Sequence, residues 1–278
     1  MKKNKLDSKE IGLEIGLLIS RFFMNSDDLH YGYWEAETPV DVLHCQVAQK
    51  AYSDLLIKQI PENVKSVLDV GSGSGNTAKR LLSMGLSVDC VSPSSFLSAE
   101  IERKLGNQVT LFKTIFEKLE TENTYDLILF SESFQYVPIE VSLEKCVNLL
   151  NPSGYILICD FFQKDPSHFT ELRGGHPFPR FQDAIQSQPF NEIKNLDITE
   201  QTAPTIQILD DFLTQFGGPL KSLVNHYLES RYPKFSKIMK WKYKKRIEKL
   251  NRIYFSGELT AQEFVEQKTY RFMLYQKQ

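Results

Sequence analysis

The chain of 278 residues has no apolar run long enough to cross a bilayer, which takes roughly 18 or more nearly uncharged residues. Its first apolar stretch, 11–19, is broken by Glu14 and follows Glu10 and the basic Lys2, Lys3 and Lys5. That pattern reads as an amphipathic helix over 8–24 and excludes a signal peptide. Cysteine is scarce: Cys45, Cys90, Cys146 and Cys159 are scattered, and three of them sit in apolar runs. Buried reduced thiols and a cytoplasmic location are therefore expected. None of the five histidines has metal-ligand spacing, so no metal chemistry is expected. There is no internal repeat and no low-complexity tract. Charge of one sign is not in excess, at net −2, and no base-stacking module is visible, so nucleic acid is not an expected partner.

One glycine cluster is informative. Val67-Leu68-Asp69-Val70-Gly71-Ser72-Gly73-Ser74-Gly75-Asn76 sets a β-branched, apolar run, a carboxylate, and then a glycine at every second residue. The run predicts a buried parallel strand, and 77–84 predicts a helix. Glycine suits backbone that turns sharply and approaches a ligand, and the helix N-terminus beyond favours an anionic group. A dinucleotide fingerprint would place its third glycine at position 76, which is Asn.

Downstream the periodicity predicts strands at 65–70, 88–91, 108–112, 125–130 and 155–161, with helices between them and a turn at 151–154. Such β-α alternation implies a parallel, doubly wound sheet. The stretch 162–189, with Pro166, Gly174, Gly175, Pro177 and Pro179, reads as a long irregular connection. Residues 193–198 read as a sixth strand, 205–252 as mostly helical, and 268–275 as a final strand. The expectation is an α/β, Rossmann-like doubly wound sheet of about seven strands, with a helical cap inserted before the last. It is one domain, 1–278: a core of about 60–161 plus 189–200 and 266–278, N-terminal helices over 8–60, and a cap of 162–188 and 201–256.

The glycine spacing, with Asp69 two residues before Gly71, resembles motif I of class I S-adenosylmethionine (SAM) methyltransferases. "LHYGYW" (29–34) is similar to the aromatic N-terminal loop of small-molecule members, "YDLILFSESFQYV" (125–137) to motif II, and "LLNPSGYILICDFF" (149–162) to motif III. The resemblance covers 28–161 well and 190–278 in outline. It implies SAM as cofactor, with Gly71, Gly73 and Gly75 on the methionyl part and Asp69 orienting the turn or accepting from the ammonium. It further implies the Ser131 carbonyl on the same ammonium and a backbone N–H at Phe116-Glu117 for adenine. Phe116 as plain core is the other reading. Tyr31 is either a hydroxyl partner of the SAM carboxylate or, with Tyr33 and His30, part of an aromatic cluster packing the N-terminal helices.

One position departs from the family pattern. The ribose diol is usually held by a carboxylate at the end of strand two, and this chain has Ser92 there. A serine gives a neutral, weaker hydrogen bond. A neutral residue here resembles the branch of tocopherol and isoprenoid C-methyltransferases and cyclopropane fatty acid synthases. Methyl transfer needs mainly alignment, because the sulfonium is already activated. A base is required only where the nucleophile must lose a proton. The candidates are Gln135, Tyr136 and His176, with Glu132 and His168 also near the carboxyl edge; His176 reads equally as a solvated loop residue.

The segment 231–252 carries ten Lys or Arg against one acid, a net of +9. Its apolar residues recur at helical spacing. It is either a solvated outer face or a surface for an anionic substrate, a carrier protein or a membrane. The expected activity is SAM-dependent methylation of a small organic molecule, at a carbon (or oxygen or nitrogen) nucleophile of an apolar or lipid-like substrate. The alternative is a fold member that binds SAM or a related ligand without methyl transfer.

Overall fold

The computed structural model describes residues 8–165, 167 and 172–278. His168 and the lysines at 2, 3 and 5 lie outside the described residues. Seven strands form one sheet: β1 Ser66–Val70, β2 Ser87–Val91, β3 Thr110–Phe112, β4 Tyr125–Ser131, β5 Leu150–Gln163, β6 Phe190–Asp197 and β7 Lys268–Lys277. Their order is β3-β2-β1-β4-β5-β7-β6. The first five are parallel, and β7 runs antiparallel between β5 and β6.

The central strands are apolar on both faces because both faces are covered. Val67, Leu127 and Leu157 point into one core with Tyr52, Ala78 and Ile101. Leu68, Ile128 and Ile156 point into the other with Phe134, Leu143 and Phe181. The in-register pairs Val67↔Leu127 and Leu127↔Tyr155 keep each set on its own side.

Around the sheet lie α1 Ser8–Phe23, α2 Cys45–Lys58, α3 Asn76–Ser83, α4 Ser95–Leu105, α5 Ile139–Leu149 and α6 Phe178–Gln186. Between β6 and β7 come α7 Thr199–Thr202, α8 Pro204–Asp211, α9 Gly218–Arg231, α10 Pro233–Tyr254 and α11 Ala261–Gln267. A π-helical segment, Phe212–Gly217, joins α8 to α9. Among the described residues no helix is long and apolar enough to cross a membrane.

The structure differs from the sequence reading at three places. The connection read as irregular over 162–189 contains α6. Pro177 precedes it and Pro179 sits in its first turn, where proline costs no hydrogen bond. Phe181 and Ile185, four residues apart, bury that helix against the sheet. The turn read at 151–154 lies inside β5. The pairing jumps from Tyr125↔Leu150 to Leu127↔Tyr155, and Ser153 takes the left-handed conformation at φ 58°, so the extra residues bulge from the ladder. Within the N-terminal helical region read over 8–60, a short 3₁₀ turn, Val42–His44, precedes α2, because the Asp41 carboxylate accepts from the Leu43 and His44 backbone N–H groups.

Candidate functional site

β1 delivers Asp69 to the carboxyl edge of the sheet, and the chain then turns through Gly71 (φ 76°), Gly73 (φ 53°) and Gly75 (φ 82°) into α3. The three glycines serve different ends. A Cβ on Gly71 would collide with the Ser133 side chain. A Cβ on Gly75 would press on Ile101 and Leu105 of α4. A Cβ on Gly73 would meet nothing within 4 Å. Gly73 therefore borders open space, a cavity of about 260 Å³.

The inner wall of that cavity is the row of strand ends, with Asp69 from β1, Ser92 after β2, and Ser131 and Glu132 from β4. Leu97 of α4 and Leu13 of α1 supply apolar wall, and the segment Asp28, Leu29, His30 closes one side. Polar pins hold this roof down. Ser74 Oγ donates to the Asp27 carbonyl at 2.7 Å, and Asn76 Nδ2 to Asp28 Oδ1 at 3.0 Å. Lys104 Nζ lies 3.0 Å from Asp27 Oδ2. Glu10 accepts from Ser94 Oγ, Ser95 Oγ and the Phe96 N–H, so α1 caps the N-terminus of α4.

Three buried carboxyls lie at this edge. Burial pushes Asp69 up to about 7, and among the described residues its Oδ2 has no hydrogen-bond partner. Burial likewise pushes Glu132 up to about 8. Glu132 is a non-glycine residue at φ 54°, a strained conformation. Its Oε1 accepts from the Tyr31 N–H at 2.6 Å and from the Tyr270 hydroxyl at 2.6 Å. Tyr270 Oη lies 3.1 Å from Tyr52 Oη, which is 3.2 Å from Ser131 Oγ. Asp160, lifted by burial to about 7, accepts from the Gln135 N–H at 2.9 Å and from Gln135 Nε2 at 3.1 Å.

The cavity brings together Asp69, Gly71, Gly73, Ser92, Ser131 and the largely exposed Tyr136. It does not take in Gly75, Tyr31, Phe116, Gln135 or His176. The Tyr31 ring packs among Phe161, Phe264 and Tyr270, with centroids 5.8 to 6.0 Å away. Phe116 is buried, edge-on to Phe130 at 5.3 Å. The Gln135 side chain is held by Asp160, and His176 Nε2 lies 2.8 Å from the Val137 carbonyl and 3.1 Å from that of Phe134. Asp89, the acidic residue of β2, accepts from Tyr125 Oη at 2.8 Å and from Asn123 Nδ2 at 3.2 Å.

Sequence reasoning missed Ser72, Ser133, Ser94, Leu13 and Asp28 as wall residues. The serines carried a weak signal, since they interleave the glycines or follow strand ends. Leu13 and Asp28 carried none, because only packing brings the N-terminal segment over the turn.

Residues 67–154 match a family model described as a methyltransferase domain. An uncharacterized methyltransferase of Bacillus cytotoxicus is 30% identical over 148 residues, 51% of this chain and 70% of that one. Another, of Bacillus cereus, is 23% identical over 181 residues, 64% of this chain and 81% of that one. Among solved structures, a cyclopropane synthase from Mycobacterium tuberculosis superposes with TM-score 0.66 at 14% identity, covering 98% of this chain and 95% of that one. Geranyl diphosphate C-methyltransferase from Streptomyces coelicolor gives TM-score 0.64 at 11% identity, covering 99% of this chain and all 100% of that one. The [4+2]-cyclase SpnF gives 0.65 at 14% identity, covering 96% and 95%. The glycine turn, the strand order and the relative from Bacillus cytotoxicus agree: the chain belongs to the class I SAM-dependent methyltransferase family.

Proposed function

We propose that this protein binds SAM against the Gly71–Gly75 turn and transfers its methyl group to a small organic molecule. The observation that carries the reading is the unpartnered Asp69 Oδ2 beside the open face at Gly73. A buried carboxylate oxygen without a donor is costly, and a ligand ammonium would relieve it. SAM, when bound, supplies an electrophilic methyl on a sulfonium. The chain's own groups supply placement. Ser131 offers a carbonyl toward the ammonium and Ser92 a neutral hydroxyl toward the ribose diol.

Little acid–base machinery is needed for such alignment. Glu132 is the one cavity carboxyl already holding donors from two distant segments, the Tyr31 N–H and the Tyr270 hydroxyl. With its affinity for protons raised by burial to about 8, it can take a proton from a nucleophile once it is ionised, above about pH 8. Tyr136, exposed at the cavity, is positioned to contact substrate, whereas Gln135 and His176 act through the loop they hold. A carbon nucleophile in an apolar, lipid-like substrate is the preferred class. Ser92 in place of a carboxylate favours it, as do neighbours titled cyclopropane synthase and geranyl diphosphate C-methyltransferase. Four free buried cysteines suit a reducing, cytoplasmic location.

Calorimetry with SAM and S-adenosylhomocysteine tests the cofactor. Saturable binding of both is expected, and absence of heat at millimolar ligand overturns the reading. A second reading, ligand binding without methyl transfer, draws on the equal likeness to a [4+2]-cyclase. Release of S-adenosylhomocysteine in the presence of lipid-like acceptors separates the two.

A further inference from the structure

Helices α9 and α10 form a hairpin that stands away from the core. α9 has no buried residue, and of the 22 residues of α10 only Ser236 and Ile253 are buried. Both helices nonetheless carry large apolar side chains in water: Leu223, Tyr227, Phe235, Ile238 and, at 81% exposure, Trp241. An ordinary soluble face does not expose such a set together.

The charge around them says what covers them. Lys234 and Lys242 lie four residues before and after Ile238, and Lys237 and Lys245 lie four before and after Trp241. Ile238 and Trp241 are thus flanked by ammonium groups on both sides, with a net +9 over 231–252. A second copy pairing the same hairpins would set +9 against +9, which like-charge repulsion opposes. An anionic bilayer offers both what tryptophan needs and what lysine needs: an apolar interior under a negative headgroup layer. The apolar surface also continues off the hairpin. Phe216 stacks on Phe212 at 5.3 Å, Phe212 meets Phe23 at 5.8 Å, and Phe23 meets the exposed Phe22 at 5.0 Å. That chain of rings leads to the outside of α1, the helix whose Leu13 walls the cavity.

We infer that the α9–α10 hairpin docks this protein peripherally on an anionic phospholipid surface, Trp241 and Ile238 entering the interface and the surrounding lysines meeting the headgroups. The inference rests on this surface alone and stands apart from the cofactor reading.

Flotation of the full chain with vesicles of phosphatidylcholine, and of equimolar phosphatidylcholine and phosphatidylglycerol, tests it. Binding to the mixed vesicles only is expected, weakening as salt rises from about 50 to about 500 mM. The chain has two tryptophans, and Trp34 is buried at 5% exposure, so a blue shift of emission on vesicles reports Trp241. Trp241→Phe removes the shift. The combined change Lys237→Gln, Lys242→Gln and Lys245→Gln lowers vesicle affinity by roughly tenfold or more with the melting temperature unchanged. Four results would each overturn the inference: binding to neither vesicle, equal and salt-insensitive binding to both, a shift that survives Trp241→Phe, or a lipid-free dimer that itself shifts Trp241 emission. The last would make a second copy the occupant.

Discussion

Tyr270 donates to Glu132 Oε1 at 2.6 Å, tying the start of β7 to the end of β4 across 138 residues of sequence. The bond fixes a strained residue at the cavity wall and gives it a measurable pH signature. Burial lifts Glu132 to about 8, above the roughly 4.3 of an unfolded glutamate. The folded chain therefore holds this proton more tightly than the unfolded chain. The stability from it is full below about pH 4 and is lost as pH rises through about 8. Asp69 and Asp160, each lifted by burial to about 7, act with the same sign. The melting temperature should fall between about pH 4 and about pH 8, and Glu132→Gln should flatten that fall. An equally steep fall in the variant would remove Glu132 as its source.

Gly71 and Gly73 should separate folding from binding. Gly71→Ala forces a side chain onto Ser133 at a left-handed backbone and should cost about 2 kcal/mol or more of stability. Gly73→Val adds its side chain to open cavity and should abolish SAM binding for a smaller loss, about 1–2 kcal/mol of backbone strain. Thermal denaturation and calorimetry on both variants read the contrast. Undiminished SAM affinity in Gly73→Val would move the cofactor elsewhere.

Ser92 is buried at the cavity wall after β2. Ser92→Ala should weaken SAM binding by about 0.5–1.5 kcal/mol, the range for one neutral hydrogen bond. Ser92→Asp should tighten it, since a carboxylate makes charge-assisted bonds to the diol. A dissociation constant unmoved by the alanine change would show that the ribose lies elsewhere.

His176 tests whether a loop histidine is structural. With Nε2 2.8 Å from the Val137 carbonyl, the ring fastens the segment before α6 to the segment after β4. His176→Ala should lower stability by about 1–2 kcal/mol and leave SAM affinity unchanged. A stable variant with impaired turnover would instead make the ring a reacting group.

The local pattern alone determined much of this molecule. Period-two and continuous apolar runs placed all seven strands; the central ones are buried on both faces and must be apolar whatever their neighbours are. Asp69 and the alternate glycines marked the site, because a left-handed turn beside a ligand restricts residue choice more than any other backbone does. The tertiary structure decided what depends on which segments meet. Glycines alike in sequence divided into one open to the cavity, one against Ser133 and one against α4. Tyr31 and Phe116 went to packing clusters. Leu13 and Asp28 came over the turn, and Tyr270 reached Glu132. α6 escaped notice because its prolines read as breakers until their place in the first turn was known. The basic segment showed its charge in the sequence, but only the fold left Trp241 and Ile238 exposed among the described residues, since burial is a property of neighbours and not of a residue type.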